Sequence, residues 1–238
     1  MQFDIVTIFP EFFDGPLSCG MLRIARERGI ATFNTVNPRS MTTDGIVDDY
    51  PFGGGAGMVF KPEPLAKAIE SVKTDRSTLI NLTPKGQRLT QGMVKEFAGH
   101  GHIILICGRY KGIDDRINEI FRPLQVSIGD YILSGGEIAA LALIESITRL
   151  LPGVLGNKDS AESDTFQTGL LEAPIYTRPR TYRRSAVPDV LRSGDHRHIA
   201  EWRKKRSLAL TLKKRPDLLS SVVFSKKDFE FLMEVLHG

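Results

Sequence analysis

Three glycine-bearing segments carry the residues best suited to hold a ligand. They are Leu82-Thr83-Pro84-Lys85-Gly86-Gln87, Gly108-Arg109-Tyr110-Lys111-Gly112-Ile113-Asp114-Asp115-Arg116, and Ser127-Ile128-Gly129-Asp130-Tyr131-Ile132-Leu133-Ser134-Gly135-Gly136-Glu137. Glycine lets backbone N–H and C=O groups come close to a bound molecule. One such segment is ordinary turn chemistry; three together point to a pocket. A fourth cluster, Gly53-Gly54-Gly55-Ala56-Gly57, reads either as a flexible turn or as a loop facing a phosphate or RNA backbone, and its spacing leaves both open. Several chemistries lose their support. No GxGxxG opens a helix after the first strand and no GxxxxGK[ST] is present, against dinucleotide and P-loop sites. The five histidines form no HExxH, and Cys19 and Cys107 are 88 residues apart without paired spacing. Neither a zinc site nor a disulfide scaffold is therefore expected, which suits a reducing cytosol.

The elements that must position these segments follow from hydrophobic patterning. Residues 3–9 read as a first strand stopped by Pro10, 16–29 as a helix ending at Gly29, and 31–36 as a second strand. Residues 37–61, rich in Gly, Asp and Thr, read as a long loop, and long ordered loops are often functional. Residues 62–73 read as a helix with Pro62 and Pro64 in its first turn. Buried strands at 79–82, 103–107 and 124–128 then alternate with helices at 90–98 and 113–121, and Gly135-Gly136 opens a long apolar helix to Leu151. Continuous apolar strands alternating with helices predict an α/β domain with a parallel sheet. In such sheets ligands bind outside the carboxyl ends of the strands, where the three segments fall. Residues 153–170 read as a polar linker and 188–238 as all-helical. No apolar run approaches the roughly 20 residues of a membrane span. The N-terminus has no basic n-region or apolar h-region, so no secretory signal is expected.

The net charge of +4 is unevenly placed. Residues 1–171 hold 17 Lys+Arg against 20 Asp+Glu, whereas 172–238 hold 15 against 8. The basic residues cluster from Arg178 to Arg215, with Tyr176, Tyr182 and Trp202 among them. This pattern suits a polyanion partner, with aromatic rings able to stack on bases. A solvated helical face is the bland alternative. Trp202 also recurs with Ile199, Ala209 and Leu210 at helical spacing, which fits a core position.

Taken in order, these motifs resemble a known family. They are Val47-Asp48-Asp49-Tyr50-Pro51-Phe52-Gly53-Gly54-Gly55-Ala56-Gly57-Met58, the Gly108 segment, Ser127-Ile128-Gly129-Asp130-Tyr131 with Leu133-Ser134-Gly135-Gly136-Glu137, and Pro152-Gly153-Val154-Leu155-Gly156. The set resembles the bacterial tRNA (guanine-N1)-methyltransferases of the SPOUT class over essentially the whole chain. The resemblance implies an α/β parallel-sheet domain with a deep C-terminal trefoil knot over residues 1–152. An interdomain linker at 153–170 and a small all-helical, basic, tRNA-binding domain at 171–238 would follow. It implies a cytoplasmic homodimer with its active site at the subunit interface. The activity implied is transfer of a methyl group from S-adenosyl-L-methionine to guanine N1 at tRNA position 37, after a guanosine at position 36.

By the same resemblance, the cofactor contacts would be Leu82, Gly108, Tyr110, Gly112, Ile128, Gly129, Asp130, Tyr131, Ile132, Leu133, Gly135 and Gly136. Guanine N1 carries a proton at neutral pH, and a carboxylate in reach can remove it as the methyl arrives. Asp164 matches the family's general base. Arg149 matches the residue that stabilises negative charge developing on guanine O6. Family activity is associated with magnesium, yet nothing in the sequence forms a dedicated metal cage. Three positions depart from the pattern: Lys111 where Glu is usual, Tyr50 where Arg is common, and Ala139 where Pro is common. Lys111 reverses a charge beside a cationic cofactor unless it turns away or pairs with the methionyl carboxylate. The rival readings are another knotted RNA methyltransferase acting on a ribose 2′-hydroxyl or a different base, a non-catalytic tRNA-binding homologue, and a nucleotide-dependent oxidoreductase.

Overall fold

A computed structural model describes residues 1–155, 165, 166 and 169–237. The chain divides into two compact units, Met1–Gly156 and Asn157–Gly238.

The first unit is built on a five-stranded sheet in which every pairing is parallel. Its strands are β1 (Gln2–Val6), β2 (Thr32–Val36), β5 (Ser77–Arg88), β6 (His102–Cys107) and β7 (Leu124–Ser127), in the order β2-β1-β6-β5-β7. Two further strands, β3 (Asp48–Asp49) and β4 (Val59–Phe60), form a separate antiparallel ribbon. The helices are α1 (Gly20–Glu27), α2 (Pro62–Glu70), α3 (Gln91–Ala98), α4 (Arg116–Phe121) and α5 (Glu137–Thr148).

Strand β6 shows why the sheet is a middle layer. All six of its residues are buried, and successive side chains point to opposite faces. Ile103, Leu105 and Cys107 join one core with Leu22 and Ala25 of α1, Val94 and Phe97 of α3, and Leu143, Ile144 and Ile147 of α5. Ile104 and Ile106 join the other, with Leu65, Ala68 and Ile69 of α2 and Ile117 of α4. A strand covered on both faces has no room for polar alternation, so it appears in the sequence as an unbroken apolar run.

Local chemistry sets the element boundaries. Thr90 caps α3 by accepting a hydrogen bond from the Met93 amide, and Pro62 starts α2 where a missing N–H costs nothing. The β5 strand is longer than its apolar run. Leu82 and Gln87 both register with Val126, so the four residues between them leave the sheet and return. Strand β7 lies on the far side of β5 from β6. The chain after β7 nevertheless crosses back, because the Gly136 amide donates to the Gly108 carbonyl and Arg109 bridges Gly135. The segment 37–61 is more ordered than the loop expected from its composition. It holds a 3-10 turn at Pro38–Met41 and the β3–β4 ribbon, fixed by distant backbone bonds that composition does not encode.

The second unit contains α6 (His196–Lys214) and α7 (Lys226–His237). Asp195 caps α6 by accepting from the His198 amide. Ser225 and Asp228 form a reciprocal capping box on α7. The expectation of an all-helical segment needs one correction. Strands β8 (Thr181–Tyr182) and β9 (Ser185–Ala186) form a tight antiparallel hairpin. Its turn residues are Arg183 and Arg184 instead of the Asn-Gly or Asp-Gly that announces such turns, so the sequence carried no hairpin signal.

Candidate functional site

The loops at the carboxyl ends of β5, β6 and β7 enclose a cleft of about 590 Å³, within the usual range for a small-molecule site. Leu82, Gly108, Tyr110, Gly112, Ile128, Gly129, Tyr131, Ile132, Leu133, Gly135 and Gly136 all line it. Asp130 does not. It forms an ion pair with Arg88 at the edge of the sheet, and both side chains are exposed.

Beneath the cleft, one buried carboxylate ties three segments together. Glu137, the first residue of α5, is 1% exposed. Its Oε1 accepts from the Thr7 hydroxyl at 3.0 Å and from Arg109 Nε at 3.1 Å. Its Oε2 lies 3.0 Å from the same Arg109 nitrogen, off the hydrogen-bonding direction. The Arg109 guanidinium stacks over Phe9 at 4.5 Å. The end of β1, the loop after β6 and the start of α5 thus share one ion pair. It also accounts for Gly135-Gly136. A Cβ on Gly135 would fall 2.5 Å from Glu137 Oε2, and one on Gly136 would fall 2.7 Å from Cys107 Cα. Burial pushes the Cys107 thiol well up, with the Glu137 charge adding to it and Arg109 opposing it, so the thiol stays protonated at neutral pH.

The second wall is the loop after β6. Tyr110 holds φ of 61°, a left-handed conformation uncommon for a residue with a side chain. Its ring packs edge-on against Phe60. Burial raises its phenol, with Asp48 adding to that and Arg39 opposing it, so Tyr110 stays protonated at neutral pH. Backbone bonds bind this loop to the end of the 37–61 segment. The Lys111 amide donates to Met58, Phe60 to Gly112, and Asp114 to Phe60. Lys111 turns its stem onto the glycine cluster, and a Cβ on Gly57 would meet Lys111 Cγ at 3.2 Å. The Lys111 side chain is therefore partly directed along the rim. The third wall is braced by Ser127, whose hydroxyl donates to the Gly129 carbonyl and accepts from the Gly129 amide.

One expected catalytic residue, Arg149, stands apart from this cleft. Arg149 caps the C-terminal end of α5, half-buried, with its amide donating to Glu145. Thirteen residues along the helix from Gly136, it lies roughly 20 Å away at 1.5 Å per residue. It is not part of the cleft lining. Asp164 lies outside the described residues. Among the described residues no three His, Cys, Asp or Glu side chains gather where a metal ion could be held.

Sequence reasoning missed the Thr7–Glu137–Arg109 set as a scaffold. One signal was present: a carboxylate opening a helix that is otherwise apolar. That placement reads equally well as a favourable charge at a helix N-terminus.

A comparison with known proteins decides the family. Residues 1–221 match the sequence model described as tRNA (Guanine-1)-methyltransferase TrmD. The chain belongs to this family. Relatives named tRNA (guanine-N(1)-)-methyltransferase include one from Dictyoglomus turgidum, 46% identical over 237 residues, covering 99% of this chain and 96% of the relative. Another, from Carboxydothermus hydrogenoformans, is 49% identical over 230 residues, covering 96% and 91%. A third, from Geobacter sulfurreducens, is 48% identical over 236 residues, covering 98% and 96%. All the glycines expected at the cofactor site line one cleft, at the carboxyl ends of adjacent strands.

Proposed function

We propose that this protein methylates N1 of guanosine 37 in tRNA, using S-adenosyl-L-methionine, with guanosine at position 36 as the preferred neighbour. Membership of the TrmD family, with relatives named for this chemistry on guanine N1, is the observation that carries the reading. The cleft suits the cofactor in size and character. Backbone groups of the three loops would meet the adenosine, with Leu82, Ile128, Ile132 and Leu133 offering apolar surface. When bound, the cofactor supplies an electrophilic methyl group on a sulfonium. The protein's task is to orient the base and manage its charge.

Asp164 takes the N1 proton in this account, and Arg149 stabilises the charge that grows on O6. Arg149 lies roughly 20 Å along α5 from the cleft floor, too far to serve the cleft of its own chain directly. That separation supports a homodimer in which Arg149 of one protomer faces the cofactor of the other. We further propose a trefoil knot in residues 1–152, supported by the return of the chain after β7 across β5 onto the Gly108 loop. Residues 153–170 act as the linker that delivers Asp164, and 171–238 as the tRNA-binding domain. The enzyme would work in the cytoplasm; no helix among the described residues is long and apolar enough to cross a membrane.

Subunit mixing tests the shared site. Asp164→Asn and Arg149→Ala homodimers should each lose methyl transfer from labelled S-adenosyl-L-methionine. Refolding the Arg149→Ala protein together with a cleft variant, Gly136→Ala, should restore part of the wild-type rate, because each heterodimer keeps one site with an intact cleft and an intact Arg149. Full activity in either homodimer would contradict the assigned role.

A further inference from the structure

The basic C-terminal segment is not uniform once its ion pairs are traced. Of the thirteen basic residues from Arg178 to Arg215, Arg192, Arg197, Lys204, Lys205 and Arg215 are held by Asp189, Glu201, Asp228, Glu234 and Asp217. The other eight have no carboxylate partner among the described residues: Arg203, Arg206, Lys213 and Lys214 are spaced along α6, whereas Arg178, Arg180, Arg183 and Arg184 run together before it. These last four lie in a stretch, 174–186, that is exposed throughout. They are carried by the β8–β9 hairpin, which the Val187 amide extends by donating to Arg180.

The turn itself is the second observation. Arg183 and Arg184 both hold positive φ, 46° and 75°. A two-residue turn with positive φ at both centres fits a twisted hairpin, but it favours Asn and Gly, for which that region is cheap. Two arginines are held there against their backbone preference. Strain of this kind persists where side chains serve something other than the fold. The Arg183 guanidinium also lies 5.4 Å from the ring centre of exposed Tyr182, which limits its freedom.

We propose that this hairpin is the principal RNA-backbone contact of the C-terminal unit, with Arg183 and Arg184 at its tip gripping phosphates. The proposal rests on the tRNA reading above and assigns its binding energy to one element. Cations already paired with carboxylates gain less from a phosphate, because the existing pair must be given up. Unpaired guanidinium groups on a stiff ribbon do not face that loss, and they can meet phosphate oxygens two at a time.

The test is the Arg183→Asn/Arg184→Gly protein, which suits the turn's backbone better and should melt at the same temperature as wild type or higher. Its charge-matched control is Lys205→Gln/Lys227→Gln, whose lysines are paired to Glu234 and Glu201. Binding of unmodified tRNA would be followed by filter retention from 50 to 250 mM KCl. Each lost phosphate contact should reduce the slope of log affinity against log salt by about 0.7–0.9. The hairpin variant should therefore lose about 1.5 in slope and bind at least tenfold more weakly at 100 mM. The control should stay within threefold of wild type. With tRNA saturating, kcat of the hairpin variant should be unchanged while KM for tRNA rises. Wild-type slope and affinity in the hairpin variant, or equal losses in the control, would overturn the proposal while leaving the tRNA reading intact. Absence of salt-dependent tRNA binding by the unaltered protein would overturn both.

Discussion

Replacing Glu137 probes the foundation of the cleft. Its side chain is 1% exposed and that of Arg109 20%, so the pair is barely screened by water. Glutamine keeps an acceptor for Thr7 but loses the charge. A hydrogen bond to a charged group contributes about 1.5–3 kcal/mol and a neutral one about 0.5–1.5. With two bonds affected, Glu137→Gln should cost about 2 kcal/mol. Alanine removes the carboxylate and strands the Arg109 guanidinium, which should cost about 3–5 kcal/mol. In a unit of this size each kcal/mol lowers Tm by about 2–4 °C, so alanine should lower it by roughly 6–20 °C. Replacing both partners with methionine (Arg109→Met with Glu137→Met) removes the stranded charge as well as the bond. That protein should regain most of the lost stability. It should not regain cofactor binding, because the Arg109 loop and the start of α5 would no longer be tied. Urea unfolding and equilibrium dialysis with labelled S-adenosyl-L-methionine measure the two properties separately. An alanine cost below about 0.5 kcal/mol, typical of a surface site, would refute the buried-pair reasoning. So would a double variant no more stable than the alanine one.

Further outcomes follow from the same geometry. Gly136→Ala should push the loop off Cys107, costing about 1–3 kcal/mol by overpacking and weakening cofactor binding at least tenfold; dialysis checks this. Cys19 is exposed and Cys107 buried, so a thiol reagent should titrate one cysteine in the native protein and two in denaturant. Burial pushes the Asp228 carboxyl up, but hydrogen bonds from the Ser225 backbone and hydroxyl, together with Lys204, more than offset it and leave it lowered. A lowered folded-state pKa contributes stability above the unfolded value, near 4, and loses it as pH falls through the folded value. Asp228→Asn should therefore destabilise the protein by about 1 kcal/mol at pH 7, with the difference fading below pH 4; chemical unfolding at both pH values measures it.

The strands of the sheet were legible because burial on both faces leaves an unbroken apolar signature, as in Ile103 to Cys107. Their order was not, since β5 lies between β6 and β7 for reasons of long-range pairing. The ribbons β3–β4 and β8–β9 were invisible for a different reason. Each is two residues long, and each is fixed by its turn and by backbone partners instead of side-chain pattern. At the site, glycine positions were informative because backbone approach leaves a compositional mark. Asp130 is paired with Arg88, 42 residues away, a partner that sequence does not reveal. The Arg109–Glu137 pair was hidden likewise, each residue explicable locally as a loop cation or a helix-start anion. At Lys111 only the structure shows the stem following Gly57 along the rim.

The most direct test of the central claim is to map the product. Unmodified tRNA with G36 and G37 would be incubated with the protein and S-adenosyl-L-methionine, then digested and analysed by mass spectrometry with nucleotide resolution. The account predicts one added methyl group, on the base at position 37 and at N1, and none when position 37 is adenosine. A methyl group on a ribose, at another nucleotide, or on neither despite tight tRNA binding would contradict it.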